Sequence, residues 1–422
     1  MKNWSFGIDN DNLVNLVLAG KKTATTYLYH KKDVPIIGEE SIIHFDNEKN
    51  ACVIKTKEYH ILKFKDMTEE LAKLEGEGDL SLSYWQKVHT DFFKSFSKSF
   101  NDETKIIFEI FEITKNLVQE RLQLGELIAT KNKIILGETK NIYEVNAGFN
   151  NTIFSVNNKY IIKVCTNQAL EETFEKEYAF YIENKNNQNI PELYKYDKSK
   201  QEIPYVYEII EQIPGKTLYY FWYKMTELER EETIKKLITI IKKIHSSKVE
   251  TFDWAKTIKS KVKENIENSK ELFTSTEYNT IEKSLELYDE YLKDNKFAFI
   301  HNDLHFDNII YHDKKLTIID FNDCTIAPID FEFRQIYACQ EKPWKWANIE
   351  MDPLQKPKDY KNIFNYAKKY YEALNNIKYL EKRMIIYKIF DSSKHLKKYK
   401  SKELINDIIT NTNKLLTDKK RW

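Results

Sequence analysis

His301-Asn302-Asp303-Leu304-His305-Phe306-Asp307-Asn308, followed after one short hairpin by Ile318-Ile319-Asp320-Phe321, decides how the rest of this chain is read. Two carboxylates and one carboxamide stand in the spacing H-x-D-L-x-x-x-N, then D-F. In-line transfer of a phosphoryl group needs a positioned hydroxyl acceptor, a metal ion on the phosphate oxygens and little covalent help from protein. The stretch supplies those parts. Asp303 is expected to orient or accept the acceptor's proton. Asn308, at the far end of the loop, and Asp320, at the end of the strand Leu316 to Ile319, offer the oxygen ligands that Mg²⁺ prefers. His301 is expected to brace the loop, and His305 and Asp307 stay unassigned.

Upstream, Tyr160-Ile161-Ile162-Lys163-Val164 alternates so that Lys163 turns inward among apolar neighbours. A buried ammonium needs a partner, and a phosphate plus a helix carboxylate would satisfy it. Glu177, fourteen residues on, is the candidate carboxylate; Glu171, Glu172 and Glu175 fall on other faces of that helix. One strand before Lys163 lies Asn146-Ala147-Gly148-Phe149-Asn150-Asn151, a loop with a single glycine, Gly148, in place of a G-x-G-x-x-G arch. Its backbone amides would have to cradle phosphates with little glycine help.

The order of elements around these motifs is informative. Strands are expected at Ile142 to Asn146, Thr152 to Val156 and Tyr160 to Cys165, a helix at Leu170 to Ile182, and an apolar run at Tyr205 to Ile213 ending in Pro214-Gly215. Helices then dominate: Glu227 to His245, Ala255 to Phe273, Tyr278 to Asp294, and from Asp359 onward. Together with the motifs, this order resembles the aminoglycoside phosphotransferase and choline kinase superfamily over residues 135 to 422. The resemblance implies a bilobal protein-kinase-like fold that uses ATP or GTP with Mg²⁺ to phosphorylate a small-molecule hydroxyl. It implies Asp303 as catalytic base, Asn308 and Asp320 as magnesium ligands, Lys163 paired with Glu177, phosphates over Gly148 and Asn151, and the base at the backbone of Glu211 to Ile213. The chain departs from the family's G-D-P-x-x-D-L run, carrying Ala327-Pro328-Ile329-Asp330-Phe331-Glu332-Phe333, with Glu332 at the second aspartate.

Residues 1 to 115 read as a separate α+β unit. A helix at Asp11 to Ala19 stops at Gly20, and alternating runs at Ser41 to Phe45, Cys52 to Thr56 and Ile106 to Ile113 suit a small barrel. Glu75-Gly76-Glu77-Gly78-Asp79 leads into a capped helix from Ser81. Leu18-Ala19-Gly20-Lys21-Lys22-Thr23-Ala24-Thr25, the Glu75 to Asp79 segment, Tyr84-Trp85 and Val88-His89 resemble the ASCH family, a β-barrel related to the RNA-binding PUA fold. Some ASCH proteins are amidohydrolases acting on acetylated cytidine, and that resemblance places a lysine, threonine and glutamate on Lys22, Thr25 and Glu75. Others bind RNA or nucleosides; a patch of Lys21, Lys22, Lys31 and Lys32 with Tyr27, Tyr29 and Trp85 for stacking would serve here. Residues 116 to 132 form a connecting helix, leaving 133–213 as small lobe and hinge and 214–422 as helical large lobe.

The bulk composition agrees with an α+β protein of 422 residues holding more than one core. Cys52, Cys165, Cys324 and Cys339 form no C-x-x-C pair and read as reduced core residues. No apolar run approaches a membrane span, and the expected compartment is the cytoplasm. The net charge of +1 is unevenly spread: residues 1–115 carry 16 basic and 19 acidic groups, residues 116–340 carry 30 and 36, and residues 341–422 carry 20 and 10. A basic C-terminal segment disfavours a polycationic acceptor and favours a neutral or anionic hydroxyl compound, unless acids such as Glu332, Glu341 or Glu350 line the site. The competing reading is an RNA- or nucleoside-associated protein whose kinase-like half is a scaffold.

Overall fold

The computed structural model describes residues 2–145, 151–246, 249–293, 295–348 and 350–417. The chain divides into two compact units, Met1–Thr166 and Asn167–Trp422.

The first unit opens with β1 (Lys2–Trp4), α1 (Asn10–Leu18), β2 (Ala24–Leu28), β3 (Glu40–His44), β4 (Asn50–Lys63), α2 (Glu69–Leu74), α3 (Leu82–Phe96) and β5 (Lys105–Asn116). They build a five-stranded sheet in the order β1-β3-β4-β5-β2, parallel only between β1 and β3. β4 runs 14 residues, well past the Thr56 expected from alternation, because its register shifts at Val53/Ile54 and Thr56/Glu58. Such bulges bend a strand while keeping it paired, so β4 serves β3 with its first half and β5 along its whole length. The sheet is a half-barrel: among the described residues its edge strands β1 and β2 do not pair with each other. One face buries Phe64, Trp85, Phe93 and Phe108 under α2 and α3, and the other buries Val14, Val17, Ile43 and Phe111 under α1.

α4 (Leu117–Lys131) leaves β5 directly, capped by the Asn116 side chain on the Gln119 amide, and a short α5 (Lys133–Leu136) follows. β6 (Ile142–Glu144), β7 (Thr152–Val156) and β8 (Tyr160–Val164) form an antiparallel ladder. α4 lies on these strands. A Cβ at Gly125 would stand 2.8 Å from the ring of Phe154, itself fully buried, so glycine permits the approach. The Glu144 carboxylate accepts from Arg121 Nε at 3.0 and 3.1 Å and from Lys49 Nζ at 3.3 Å. Helix α4 and a residue of the β3–β4 turn thereby hold β6.

The second unit begins with α6 (Glu171–Glu183), the antiparallel pair β9 (Leu193–Asp197) and β10 (Tyr207–Glu211), β11 (Lys216–Thr217) and α7 (Tyr219–Trp222). α8 (Glu227–Ile244) starts in a complete Thr226/Glu229 capping box. α9 (Trp254–Glu267), α10 (Ser275–Leu285) and α11 (Tyr288–Tyr291) precede β12 (Phe297–Ile300), which pairs with β15 (Thr325–Pro328). Between them sits the hairpin β13 (Ile309–His312) and β14 (Lys315–Ile318). α12 (Arg334–Ala338), α13 (Ile363–Tyr370), α14 (Glu372–Asn375), α15 (Leu380–Tyr399) and α16 (Lys402–Thr417) complete the helical part. Gly215, at φ +120°, lets β11 approach β13: a Cβ there would lie 2.7 Å from Tyr311 O. All four cysteines are buried free thiols. Among the described residues no helix is long and apolar enough to cross a membrane.

Candidate active site

The loop 301–308 hangs between β12 and β13, and its shape is fixed from beneath by Glu332. That carboxylate is fully buried and accepts the backbone N–H groups of His301 (2.7 Å) and Asn302 (3.0 Å). His245 adds a contact at 3.3 Å. Burial would raise the Glu332 carboxyl, but the hydrogen bonds and charge of His245 and His301 outweigh it and hold it below the usual carboxylate range. Glu332 thus lies under the loop and does not face an acceptor. Asp330 two residues earlier is locked by Arg383, with Nε and Nη2 at 2.6 and 2.9 Å and Tyr387 OH at 2.8 Å. The run 327–333 is therefore a buried clamp. His301 braces the loop as expected, its Nε2 at 2.9 Å from Ile319 O and its Nδ1 accepting the Asp303 amide at 3.2 Å.

Asp303 is held on both oxygens. Gln335 Nε2 donates to Oδ1 at 2.5 Å, Asn308 Nδ2 to Oδ2 at 3.2 Å, and His305 Nε2 stands 3.4 Å from Oδ2. Burial would push this carboxyl up, yet the His305 hydrogen bond, the two histidines' charge and Gln335 leave it well below the ordinary value. A carboxylate so stabilised is a weak base and a firm hydrogen-bond acceptor. Asn308 also donates to Asp303 O at 2.9 Å, which spends its amide nitrogen and leaves its carbonyl oxygen for a cation. Asp320 is exposed, in the left-handed region at φ +64°, with Asn322 Nδ2 on Oδ1 at 2.7 Å. Phe321 packs behind it on Phe180 (4.0 Å) and His301 (4.8 Å), and its N–H donates to Glu177 Oε1 at 3.3 Å. His305 stacks on Trp346 at 5.7 Å.

Lys163 sits on β8 opposite Ile153 and is 4 % exposed; Glu177, on α6, is fully buried. Gly148 lies outside the described residues. Asn151 is buried, with an Oδ1 that has no partner among the described residues, an unmet acceptor where the sequence places the nucleotide loop. The Glu211 N–H is spent on Glu192 O at 2.8 Å, and Ile213 is half-buried. No group of three His, Cys, Asp or Glu side chains among the described residues could hold a metal alone; Mg²⁺ with phosphate needs only one or two protein ligands, so Asn308 and Asp320 fit it.

A second constellation lies wholly in the first unit. Lys22, 1 % exposed, places Nζ 2.7 Å from Glu75 Oε2 and 2.6 Å from Glu77 Oε1. Glu75 Oε1 accepts from Thr26 Oγ1 (2.6 Å) and Trp85 Nε1 (2.8 Å), with His89 Nε2 at 3.5 Å. Burial opposes the charge on Glu75, but Lys22, His89 and these hydrogen bonds hold its carboxyl at about 2. Gly76 makes the approach feasible: at φ +67°, a Cβ there would meet Lys21 O at 2.2 Å. The group borders a cavity of about 290 Å³ that Thr25 also lines. Thr26, Glu77 and His89 received no role from sequence, although Glu77 and His89 stand in segments that carry the family resemblance; Thr26 lies one residue past Thr25, where the quoted run ends. Lys22 and Trp85 are buried, so neither joins a surface patch for stacking bases.

Residues 2–115 match the family model of the ASCH domain, and residues 141–349 match that of the phosphotransferase enzyme family. Among solved structures, an ASCH domain from Lactobacillus crispatus JV V101 is 26 % identical over 27 % of this chain and 80 % of its own, with a TM-score of 0.26. The ADP-bound aminoglycoside phosphotransferase APH(2'')-Ib is 17 % identical, covering 69 % of this chain and 96 % of its own at a TM-score of 0.50. The GDP complex of wild-type aminoglycoside 2'-phosphotransferase-IIIa is 15 % identical, covering 70 % and 98 % at 0.51. No curated protein matches the chain. The chain joins an N-terminal ASCH domain to a phosphotransferase-family domain of kinase-like fold.

Proposed function

We propose that the second half is a magnesium-dependent phosphotransferase moving the γ-phosphate of ATP or GTP to a hydroxyl of a small molecule, acting in the cytoplasm. The observation that carries this is the Asp303 network. Its carboxylate is fixed by Gln335, Asn308 and His305 on a loop whose backbone Glu332 anchors, so it can accept a hydroxyl hydrogen and aim the oxygen. Similar structures hold ADP or GDP. In this reading Asn308 and Asp320 hold Mg²⁺, which when bound neutralises charge on the phosphate oxygens. Lys163 with Glu177 as its carboxylate, Gly148 and Asn151 bind phosphates, and the backbone at Glu211 and Ile213 takes the base. The low basicity of Asp303 suits a loose transition state, in which orientation matters more than early proton removal.

An ATP-consumption screen of hydroxylated metabolites, nucleosides and antibiotics, with Asp303→Ala as blank, tests the reaction. Thermal stabilisation by nucleotide with Mg²⁺ that disappears in Asp320→Ala tests the metal site. No acceptor-dependent turnover and no such stabilisation would leave the kinase-like half a scaffold. A second reading gives the ASCH half its own ligand, RNA or a nucleoside, or hydrolysis by Lys22, Thr25 and Glu75; these three border one cavity.

A further inference from the structure

The cavity of the first unit has a charge and wall chemistry that select its ligand. Its ionisable lining is Lys22 and His89 beside three carboxylates, Asp9, Glu75 and Glu77; Lys22 pairs with Glu75 and Glu77, and His89 Nε2 stands 3.5 Å from Glu75 Oε1. Lys22 is already bound to two of those carboxylates, at 2.7 and 2.6 Å, so it has no charge to spare for a phosphate. Glu75 is saturated, with Lys22 on one oxygen and Thr26 and Trp85 on the other. Glu77 differs. It gives Oε1 to Lys22, its other oxygen receives no donor among the described residues, and its side chain keeps 15 % exposure. Phe6, Tyr84 and Phe92 complete the walls with rings, which offer flat apolar contact and favour cations over their faces. About 290 Å³ is room for a one- or two-ring molecule and lies at the small end of ligand pockets.

We propose that this cavity binds a small planar organic cation, an aromatic or heteroaromatic ring bearing an amidine- or amine-type group, and rejects phosphate-bearing ligands. The ring lies among Phe6, Tyr84 and Phe92, and the N–H groups reach the open oxygen of Glu77. This keeps the placement of a ligand in the ASCH cavity from the second reading above and replaces RNA as that ligand. Every phosphate brought to this opening would face uncompensated carboxylates. It does not depend on the phosphotransferase chemistry, which ATP turnover reports separately.

The test uses the full chain and three probes of one shape: benzamidine (cation), benzamide (neutral) and benzoate (anion), each titrated calorimetrically, with inorganic phosphate as a fourth. Benzamidine is expected to bind best, at least about tenfold tighter than benzoate, with a preference that shrinks as salt rises. Glu77→Gln should cut benzamidine affinity about tenfold and benzamide affinity little. Asp9→Asn, at an exposed position of the rim, should lower it in the same direction by less, and it decides the matter if Glu77→Gln does not fold. Equal or tighter binding of benzoate or phosphate, no benzamidine heat up to about 10 mM, or an unchanged preference in both folded variants would each overturn the proposal.

Discussion

Replacing Lys22 by Met tests whether the buried triad in the ASCH domain is held together by its ammonium. Removing one partner of a buried ion pair leaves an uncompensated charge and costs about 3 to 5 kcal/mol. For a unit of this size, that corresponds to a drop in melting temperature of about 6 to 20 °C at neutral pH. The sign of the pH dependence is the sharper check. In the parent, the depressed Glu75 carboxyl contributes stability that is present above 4.5 and is lost as pH falls through about 2. In Lys22→Met, burial remains while the ammonium is gone, so the carboxyl rises and protonation relieves the variant as the pH falls. Differential scanning calorimetry at pH 7 and in steps down to about pH 4 should show the gap between parent and variant narrowing. A variant melting within about 2 °C of the parent, or a gap constant across that range, would refute the reasoning.

Asp303→Asn keeps the size of the side chain but removes the carboxylate, and acceptor-dependent turnover should fall by about 10² to 10⁴ while nucleotide stabilisation persists, as read by steady-state kinetics alongside a melt. Glu332→Gln leaves one oxygen for two backbone N–H groups; we expect a loss of about 1 to 3 kcal/mol and a lower kcat with little change in nucleotide KM. Gly76→Ala should cost at least about 1 to 2 kcal/mol from the left-handed backbone alone, more with the Lys21 contact, and a melt indistinguishable from the parent would contradict the role given to that glycine.

Much of the phosphotransferase half was legible because its motifs are local. His301 to Asn308 is a single loop, and Lys163 is betrayed by one charge in an apolar strand. What supports that loop was not legible. Glu332 and Gln335 lie about thirty residues downstream and reach the loop only after β15 folds back on β12, so Glu332 read as a lost family residue or a substrate acid when it anchors two backbone amides. In the ASCH domain, Lys22 and Glu75 were found, whereas Thr26 and Glu77 were not. The first differs from Thr25 by one step of strand alternation, and the second depends on a positive-φ glycine turning the chain back toward Lys22. β4 was read short because a bulge at Thr56 breaks the period on which strand recognition rests.

The contact of Gly125 with Phe154, and the grip of Arg121 and Lys49 on Glu144, carry a consequence for how these two gene segments can be taken apart. A cut between α4 and β6, the natural place to separate the ASCH match from the phosphotransferase match, would uncover a ring that has no solvent exposure and strip a half-buried carboxylate of both cations. Either fragment would then display a sticky apolar scar. Shuffling ASCH domains among such fusions succeeds only if Arg121, Gly125, Glu144 and Phe154 are kept together as one matched set.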